Sequence, residues 1–417
     1  MTARTPPCAS AGVLLRPRDA SAVVVVPGRP PVRVALPRGG AVDPGSVMTA
    51  VAAVARANQV PLDVVTVDVS GVLLEAVVHG HPVASQTAAV RIVPRPAEEP
   101  ALARSPAAVV ERLIAHRFTV AGGHDLLGHE LCPLDRAQLS RLCEALRRDG
   151  TRQVAVVGAG SPARPDHERA VADAVQAAVP GCDITVGSEF GGQGLVAREA
   201  TAVVNAWLRP LARDVVDGLE QALAAVLPGV VLRVARGDGG HTMPARAAEL
   251  PATALGATDA MELRGAAHLA GRDDTRVVLR RPGGGVTGHV RRGLVVVRSA
   301  QLEGIGTELV VPTAALAQHP GATNDTEQGL PTRGDPDLIA CVGAATSRPT
   351  SWLDEVAVIE SAQELEGVRS EAEQRAMAIA TANGALPGTA HVVDLSVIAV
   401  PYSPSGTVRI RVRVAGE

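Results

Sequence analysis

No lysine occurs in the 417 residues, so all 40 basic positions counted as Lys+Arg are arginine. A phosphate-gripping P-loop lysine, a lysine Schiff base and a lysine-carbamate metal bridge are therefore excluded. Aromatic side chains are almost as scarce, with two Trp, one Tyr and two Phe. The core must be built from Val, Leu, Ala and Ile, and few stacking platforms remain for single-stranded nucleic acid. The five cysteines, Cys8, Cys132, Cys143, Cys182 and Cys341, are odd in number and share no CxxC spacing. This disfavours a disulfide framework or zinc knuckle and points to a reducing, cytoplasmic setting. The early apolar stretches are interrupted by Arg16, Arg18 and Asp19, and no run reaches the roughly 18 apolar residues needed to cross a bilayer. Neither a membrane span nor an export signal is read. The 40 basic and 43 acidic residues leave a formal charge of −3, which gives no reason to expect a nucleic-acid or membrane-surface partner.

What is present reads as alternating strands and helices. Three short apolar runs at 11–37, broken by Pro, Gly and Arg, predict a meander, and the helical spacing at 44–58 predicts a helix capped by Asp43. Strands are expected in DVVTVDVSG and AAVRIVPRP, and a helix at 107–116 after a Pro-rich connector. A βαβ pattern follows: helix 136–148, strand 153–157, helix 165–179, strand 183–186 and a long helix at 195–227. Later come a strand and loop in VVLRVARGDGG, a helix at 263–270 and a Gly-punctuated hairpin at 276–299 that echoes the opening meander. A polar linker occupies 319–337, LIACVGAA reads as a buried strand, 363–382 as a helix, and the C-terminus as a hairpin. Its alternating arginines are assigned to a solvated face.

Several segments carry a family resemblance. AGGHDLLGHELCPLD at 121–135, continuing to SPARPDHERA at 161–170, resembles the A-type subunits of the hydantoinase/oxoprolinase family, where a GGHEF-like turn leads to a PLD helix start and then an SP…HE turn. REATAVVNAWLRPLAR at 198–213 is similar to the family's ENATxLNAxLRPLA helix. Residues 236–243 and 256–266 resemble its NDG…M and SGP…RGA segments, and EAEQRAMAIATANGA with VIAVPYSPSGTVRIRVRVAGE fits its ending. The matches are collinear and cover most of the chain.

The resemblance implies an α/β fold with two RNase-H-like lobes, as in actin and sugar kinases, and a small C-terminal α+β segment. The expected division is 1–190, 191–345 and 346–417. It also implies a B-type partner subunit, a small-molecule ligand, and ATP-linked hydrolysis of a cyclic amide such as a hydantoin or 5-oxoproline, with Mg²⁺. In the family, two DxGGTxTD turns hold the phosphates, glycines letting backbone N–H groups approach the anion while aspartates manage the metal. Here the first turn reads VLLRPRDASAVVVV, and the second reads VVLRRPGGGVTGHV with Arg280 at the leading aspartate's position. A guanidinium can pair with phosphate but cannot ligate Mg²⁺, so ordinary ATP turnover is expected to be impaired. The cofactor-binding candidates are Gly283, Gly284, Gly285 and Thr287, with Gly256 and Thr258 of the SGP-like segment.

The catalytic candidates are His124, Asp125, Asp238 and His241. On the glycine-flanked turn, His124 and His129 are candidate ligands of a divalent metal, against the alternative of a polar turn whose His caps the Asp135 helix. Asp166 and Glu168 suit the positive end of a helix dipole. Glu199, Thr201 and Asn205 serve equally well as interior hydrogen-bonding groups. GAGSPA at 158–163 formally matches a dinucleotide fingerprint, but Pro162 and Pro165 stand where its helix should begin. No GxSxG elbow supports a serine hydrolase. The rival to an enzyme is a non-catalytic partner of a B-type or other catalytic chain, and a third reading is a metal-dependent hydrolase using His124 and His129.

Overall fold

The computed structural model describes residues 8–417 except 37–41, 81–86, 97–106, 193, 282–283, 303, 321–329, 332–333 and 402. The chain opens with β1 (Ala9–Leu15), β2 (Ala20–Val25) and β3 (Val32–Arg33), an antiparallel meander as the alternating runs predict. Helix α1 (Pro44–Ala57) begins where Asp43 accepts hydrogen bonds from the backbone N–H groups of Gly45 and Ser46. Strand β4 (Leu62–Asp68) lies parallel to β1, and α2 (Ser70–His79) follows it directly.

The next stretch builds a separate four-stranded parallel sheet. It contains β5 (Thr87–Val93), α3 (Ala108–Leu113), β6 (Ile114–Ala121), the small pair β7 (Gly123–His124) and β8 (Glu130–Cys132), α4 (Arg136–Arg148), β9 (Gln153–Gly158), α5 (Asp166–Ala178) and β10 (Asp183–Val186). The strand order is β10-β9-β5-β6. The helix expected at 107–116 is corrected here: α3 stops at Leu113 and Ile114 starts β6. The β-branched and aromatic residues Ile114, Phe118, Thr119 and Val120 favour that extended chain.

Helix α6 (Leu195–Val226) then returns the chain to the first sheet, where β11 (Val231–Ala235) pairs with β4 and β12 (His241–Thr242) completes the order β12-β11-β4-β1-β2-β3. Its apolar face joins α1, α2 and α6 to β1, β2 and β4 in one aliphatic core. After α7 (Pro244–Glu249) come α8 (Ala257–Leu269), β13 (Thr275–Arg281), β14 (Gly284–Arg291) and β15 (Leu294–Val295), a second meander. Strands β16 (Val297–Gln301) and β17 (Glu308–Ala314) form a hairpin, while β18 (Ala317–Pro320) and β19 (Leu330–Pro331) flank the second meander.

LIACVGAA is a helix, not a strand: α9 (Pro336–Ala345) starts at Asp335, whose side chain accepts from Asp337 N–H. Residues 339–345 are buried without interruption, so the segment carries no periodicity to distinguish it from a core strand. The cap pair Asp335-Pro336 is the signal that separates the two. Helix α9 packs on β1 and β2 and also along α8, joining the two lobes. The contact is backbone against backbone: a Cβ added at Gly265 or Gly343 would lie 1.9 Å from the carbonyl oxygen of Ile339 or Met261.

The C-terminal segment is α+β: β20 (Thr350–Val358), α10 (Ala362–Ala382), β21 (His391–Ala399) and β22 (Thr407–Ala415), with β22 central. Ala372, Ala376 and Ala380 let α10 lie close over Val408, Ile410, Val412 and Val414. The arginines on the other face of β22 are not simply solvated. Arg409 pairs with Asp354 through two 2.6 Å hydrogen bonds, and Arg413 is buried and donates to the carbonyls of Asp238 and Val295. Among the described residues no helix is long and apolar enough to cross a membrane.

Candidate functional site

The β1–β2 turn, the end of β13, the end of β4 with the start of α2, and the first turns of α8 and α9 meet between the lobes, where charged side chains gather. From the first turn, Arg16 donates two 2.6 Å hydrogen bonds to the carboxylate of Asp337 in the first turn of α9. A carboxylate there also sits favourably against the helix dipole. From the end of β13, Arg281 reaches Asp259 at 2.5 Å and Glu262 at 2.8 Å, both on α8. Glu262 is buried, its Oε1 has no hydrogen-bond partner, and burial pushes its carboxyl above the usual range. Asp68, at the end of β4, is buried too; it accepts from Ser70 N–H at 2.8 Å and from the Thr258 hydroxyl at 2.7 Å. Burial dominates there as well and raises its pKa.

The cofactor candidates lie around this cleft in structural roles. Gly256 adopts φ 75° as the cap of α8, a left-handed conformation suited to glycine, and Thr258 spends its hydroxyl on Asp68. Gly284 and Gly285 lie inside β14, paired with Arg281 and Arg280 on one side and with residues 320 and 319 on the other. Their backbone is thus part of a ladder, not a curled anion nest. Thr287 is buried and its hydroxyl has no partner, and Gly283 lies outside the described residues. In the first turn Arg16 is already paired with Asp337; in the second it is Arg281, next to the Arg280 read at the aspartate's position, that pairs with Asp259 and Glu262. These residues do not fit a magnesium–triphosphate site.

A second cluster lies over the four-stranded sheet. His124 is 3% exposed and its ring packs on that of His167 with centroids 4.4 Å apart. Burial, followed by the His167 and Arg164 charges, lowers its pKa, so the ring is neutral at physiological pH. Gly123 N–H donates to Nδ1 of His167 at 2.8 Å, and Nε2 of His167 lies 3.0 Å from Glu130. One donor atom each from His124, Glu130 and His167 fall within 4.8 Å of one another. His129, by contrast, is exposed and lies 3.0 Å from the Asp125 carboxylate, which also accepts backbone N–H groups of Leu127 and His129. The geometry thus groups His124 with His167 and Glu130, and Asp125 with His129. His167 was visible in sequence only as part of a helix start, and its 43-residue separation from His124 hid the pairing. Glu168 beside it is structural, accepting from Gly158 N–H at 2.7 Å and Ser188 N–H at 2.9 Å.

Asp238 and His241, on the loop between β11 and β12, are interior. Asp238 accepts from Thr350 at 2.8 Å and Gly240 N–H at 3.0 Å. Burial raises its pKa, but the Arg236 and Arg413 guanidiniums outweigh this and hold the carboxyl below the usual range. His241 meets Ser347 at 2.9 Å, and burial beside Arg233 and Arg264 pushes it down to about 3. Together they fasten the start of the C-terminal segment to the β11–β12 loop. Glu199 is likewise interior, gripped by Arg91 and Arg117. Thr201 and Asn205 bond only to interior backbone and hydroxyl groups.

Residues 100–179 match the family model of the hydantoinase/oxoprolinase N-terminal region. This match supports the resemblance read from the sequence. The matched stretch holds His124, Glu130 and His167, whereas Arg16, Arg281 and Asp337 lie outside it. Two solved structures share the fold across almost the whole chain. A nucleotide-free acetone carboxylase, described as carrying out ATP-dependent acetone carboxylation, superposes with a TM-score of 0.66 at 9% identity, covering 99% of this chain and 88% of its own. An ATP-dependent caprolactamase from Pseudomonas jessenii superposes with a TM-score of 0.66 at 12% identity, covering 97% and 87%. The fold is thus the mixed α/β, two-lobed one that the resemblance implies. No curated protein matches the chain in sequence.

Proposed function

We propose that this chain is an A-type hydantoinase/oxoprolinase-like subunit, derived from ATP-linked hydrolases of cyclic amides, whose own ATP turnover is impaired. The observation that carries the reading is the bidentate Arg16–Asp337 pair at the first phosphate-turn position. The fold match to two proteins described as ATP-dependent supports the ancestry, and the ion pairs in the cleft support the loss. An arginine held this way cannot ligate Mg²⁺, and the fork it would offer a phosphate is already engaged with a carboxylate.

The non-catalytic alternative, a partner for a B-type chain, draws support from the same cleft. Its acids, Asp68, Asp259, Glu262 and Asp337, outnumber Arg16 and Arg281 and disfavour a polyanion there. The test is a thermal melt with and without Mg-ATP, followed by an assay for ATP hydrolysis with hydantoins and 5-oxoproline in the presence of a B-type chain. A ligand at 100 times its Kd stabilises the folded state by about 2.7 kcal/mol, so binding would be plain. No shift with co-elution of the B-type chain supports the partner reading; Mg-ATP stabilisation with amide-dependent turnover overturns the impairment.

A further inference from the structure

The four-stranded sheet is wholly parallel, with the order β6-β5-β9-β10. The chain steps from β5 to β6 on one side, then crosses back to β9 and β10 on the other. In open parallel sheets, the carboxyl ends of strands at such a reversal make the crevice where ligands bind. Here the reversal lies between β5 and β9, and the segment carrying His124 is folded over it. His124 N–H donates to the Ala159 carbonyl at 3.0 Å. A Cβ on Gly123 would stand 3.2 Å from Ala159 and 3.4 Å from Pro94, the residues following β9 and β5. Gly160 must be glycine, since a Cβ there would come within 2.3 Å of the His124 and Asp125 carbonyl oxygens.

Two further observations point to a ligand. The His124 ring is buried, packs on the His167 ring, and among the described residues makes no hydrogen bond through either nitrogen. Glu130 is half exposed, so the cluster is reachable from solvent.

We propose that His124, Glu130 and His167 bind a divalent transition metal ion of the zinc class at the carboxyl edge of this sheet. Two imidazoles and a carboxylate suit such an ion and leave a coordination position for water or substrate. Zinc–nitrogen bonds of about 2.0–2.1 Å put tetrahedral donors roughly 3.3 Å apart, so the present spread of up to 4.8 Å closes by small side-chain rotations. His167 adds a chemical condition. Its Nδ1 accepts Gly123 N–H, so the ring proton sits on Nε2 and faces Glu130. A metal at Nε2 requires the other neutral tautomer: the proton leaves Nε2 and Nδ1 takes one up from solvent, with no net change in the ring's protons. The Gly122–Gly123 peptide meets this by turning over to offer the Gly122 carbonyl, the usual second partner of a metal-bound imidazole. Both glycines already occupy positive φ, 155° and 114°, where such a rotation is open to them.

The experiment is titration of the dialysed full-length protein with Zn²⁺ by calorimetry and with Co²⁺ by visible absorption. One ion per chain is expected, with cobalt ligand-field bands of a low-symmetry site and affinity rising with pH as protons are released. His167→Ala and Glu130→Gln should each weaken binding on the order of 100-fold, since even second-shell losses cost about 10–100-fold, while His129→Ala leaves it unchanged. If His167→Ala fails to fold, Glu130→Gln at its half-exposed position and the wild-type cobalt spectrum carry the test. Absence of stoichiometric binding overturns the proposal. So does binding that survives Glu130→Gln and is lost in His129→Ala, which would place the ion at Asp125 and His129.

Discussion

Arg16 and Asp337 stand 321 residues apart in the chain yet share two 2.6 Å hydrogen bonds across the cleft between the lobes. The pair ties the first turn of one lobe to the helix α9 that packs against the other. Both side chains are about one-third exposed, at 35% and 29%, so solvent screens them and the coupling stays small. A double-mutant cycle of Arg16→Ala and Asp337→Ala in urea denaturation should return about 1 kcal/mol. A coupling of zero would mean the pair does not hold the cleft.

The glycines of α8 and α9 give a test in which the sign of the effect decides. Replacing glycine by alanine inside a helix ordinarily gains about 1 kcal/mol. Gly218 in α6 and Gly367 in α10 have nothing within 4 Å of an added Cβ, and their alanine variants should be more stable by up to about that amount. Gly265→Ala should instead cost about 3 kcal/mol or more, because its Cβ meets the Ile339 carbonyl at 1.9 Å and the two helices must separate. Chemical denaturation of the three variants side by side checks it, and a stabilised Gly265→Ala would show that the helices do not touch there.

Much of this architecture was legible because local chemistry and tertiary need agree. Asp43 caps α1 as read, and α4 spans 136–148 as read, although its cap is Asp135 itself and not a histidine of the preceding turn. The runs at 11–37 alternate as a meander should. The reading failed where burial erased the pattern, as in α9, whose apolar surface on all sides looks like a core strand. It also failed on β22, since alternation marks Arg409, Arg411 and Arg413 as sharing a face but not what covers that face. For the candidate sites, sequence supplied residue types and not their company: His124 was visible, but His167 and Glu130 join it through a turn and a crossover connection. Nothing local announces that Arg16 meets Asp337.

Asp238 anchors the C-terminal sheet, and its protonation should weaken the fold. Its folded pKa lies below the unfolded value of about 3.9, held there against the cost of burial by Arg236 and Arg413. The folded carboxyl binds fewer protons than the unfolded one, so its contribution is complete above about pH 3.9 and is lost as pH falls through the folded pKa. Asp238→Asn leaves buried guanidiniums without their counter-charge and should cost about 3 kcal/mol at neutral pH. Urea denaturation measures the loss, and a neutral effect would mean that backbone carbonyls alone satisfy Arg413.

His241 acts in a different pH window. Its folded pKa of about 3 lies below the unfolded value near 6.5, because burial beside Arg233 and Arg264 opposes a further positive charge. The unfolded chain therefore binds the proton first. The stability that His241 contributes is complete above about pH 6.5 and drains as pH falls from there towards its folded pKa. His241→Gln removes the titration and keeps a polar group facing Ser347. Melting both proteins across the interval from about pH 7 to pH 5 should show the wild type losing stability faster than the variant on acidification. His124 and His268 also have lowered pKa values, but they titrate in both proteins, so the difference between the two curves isolates His241. A difference that stays constant with pH would mean that His241 titrates alike in the folded and unfolded chains, and that the buried arginines around it do not govern its charge.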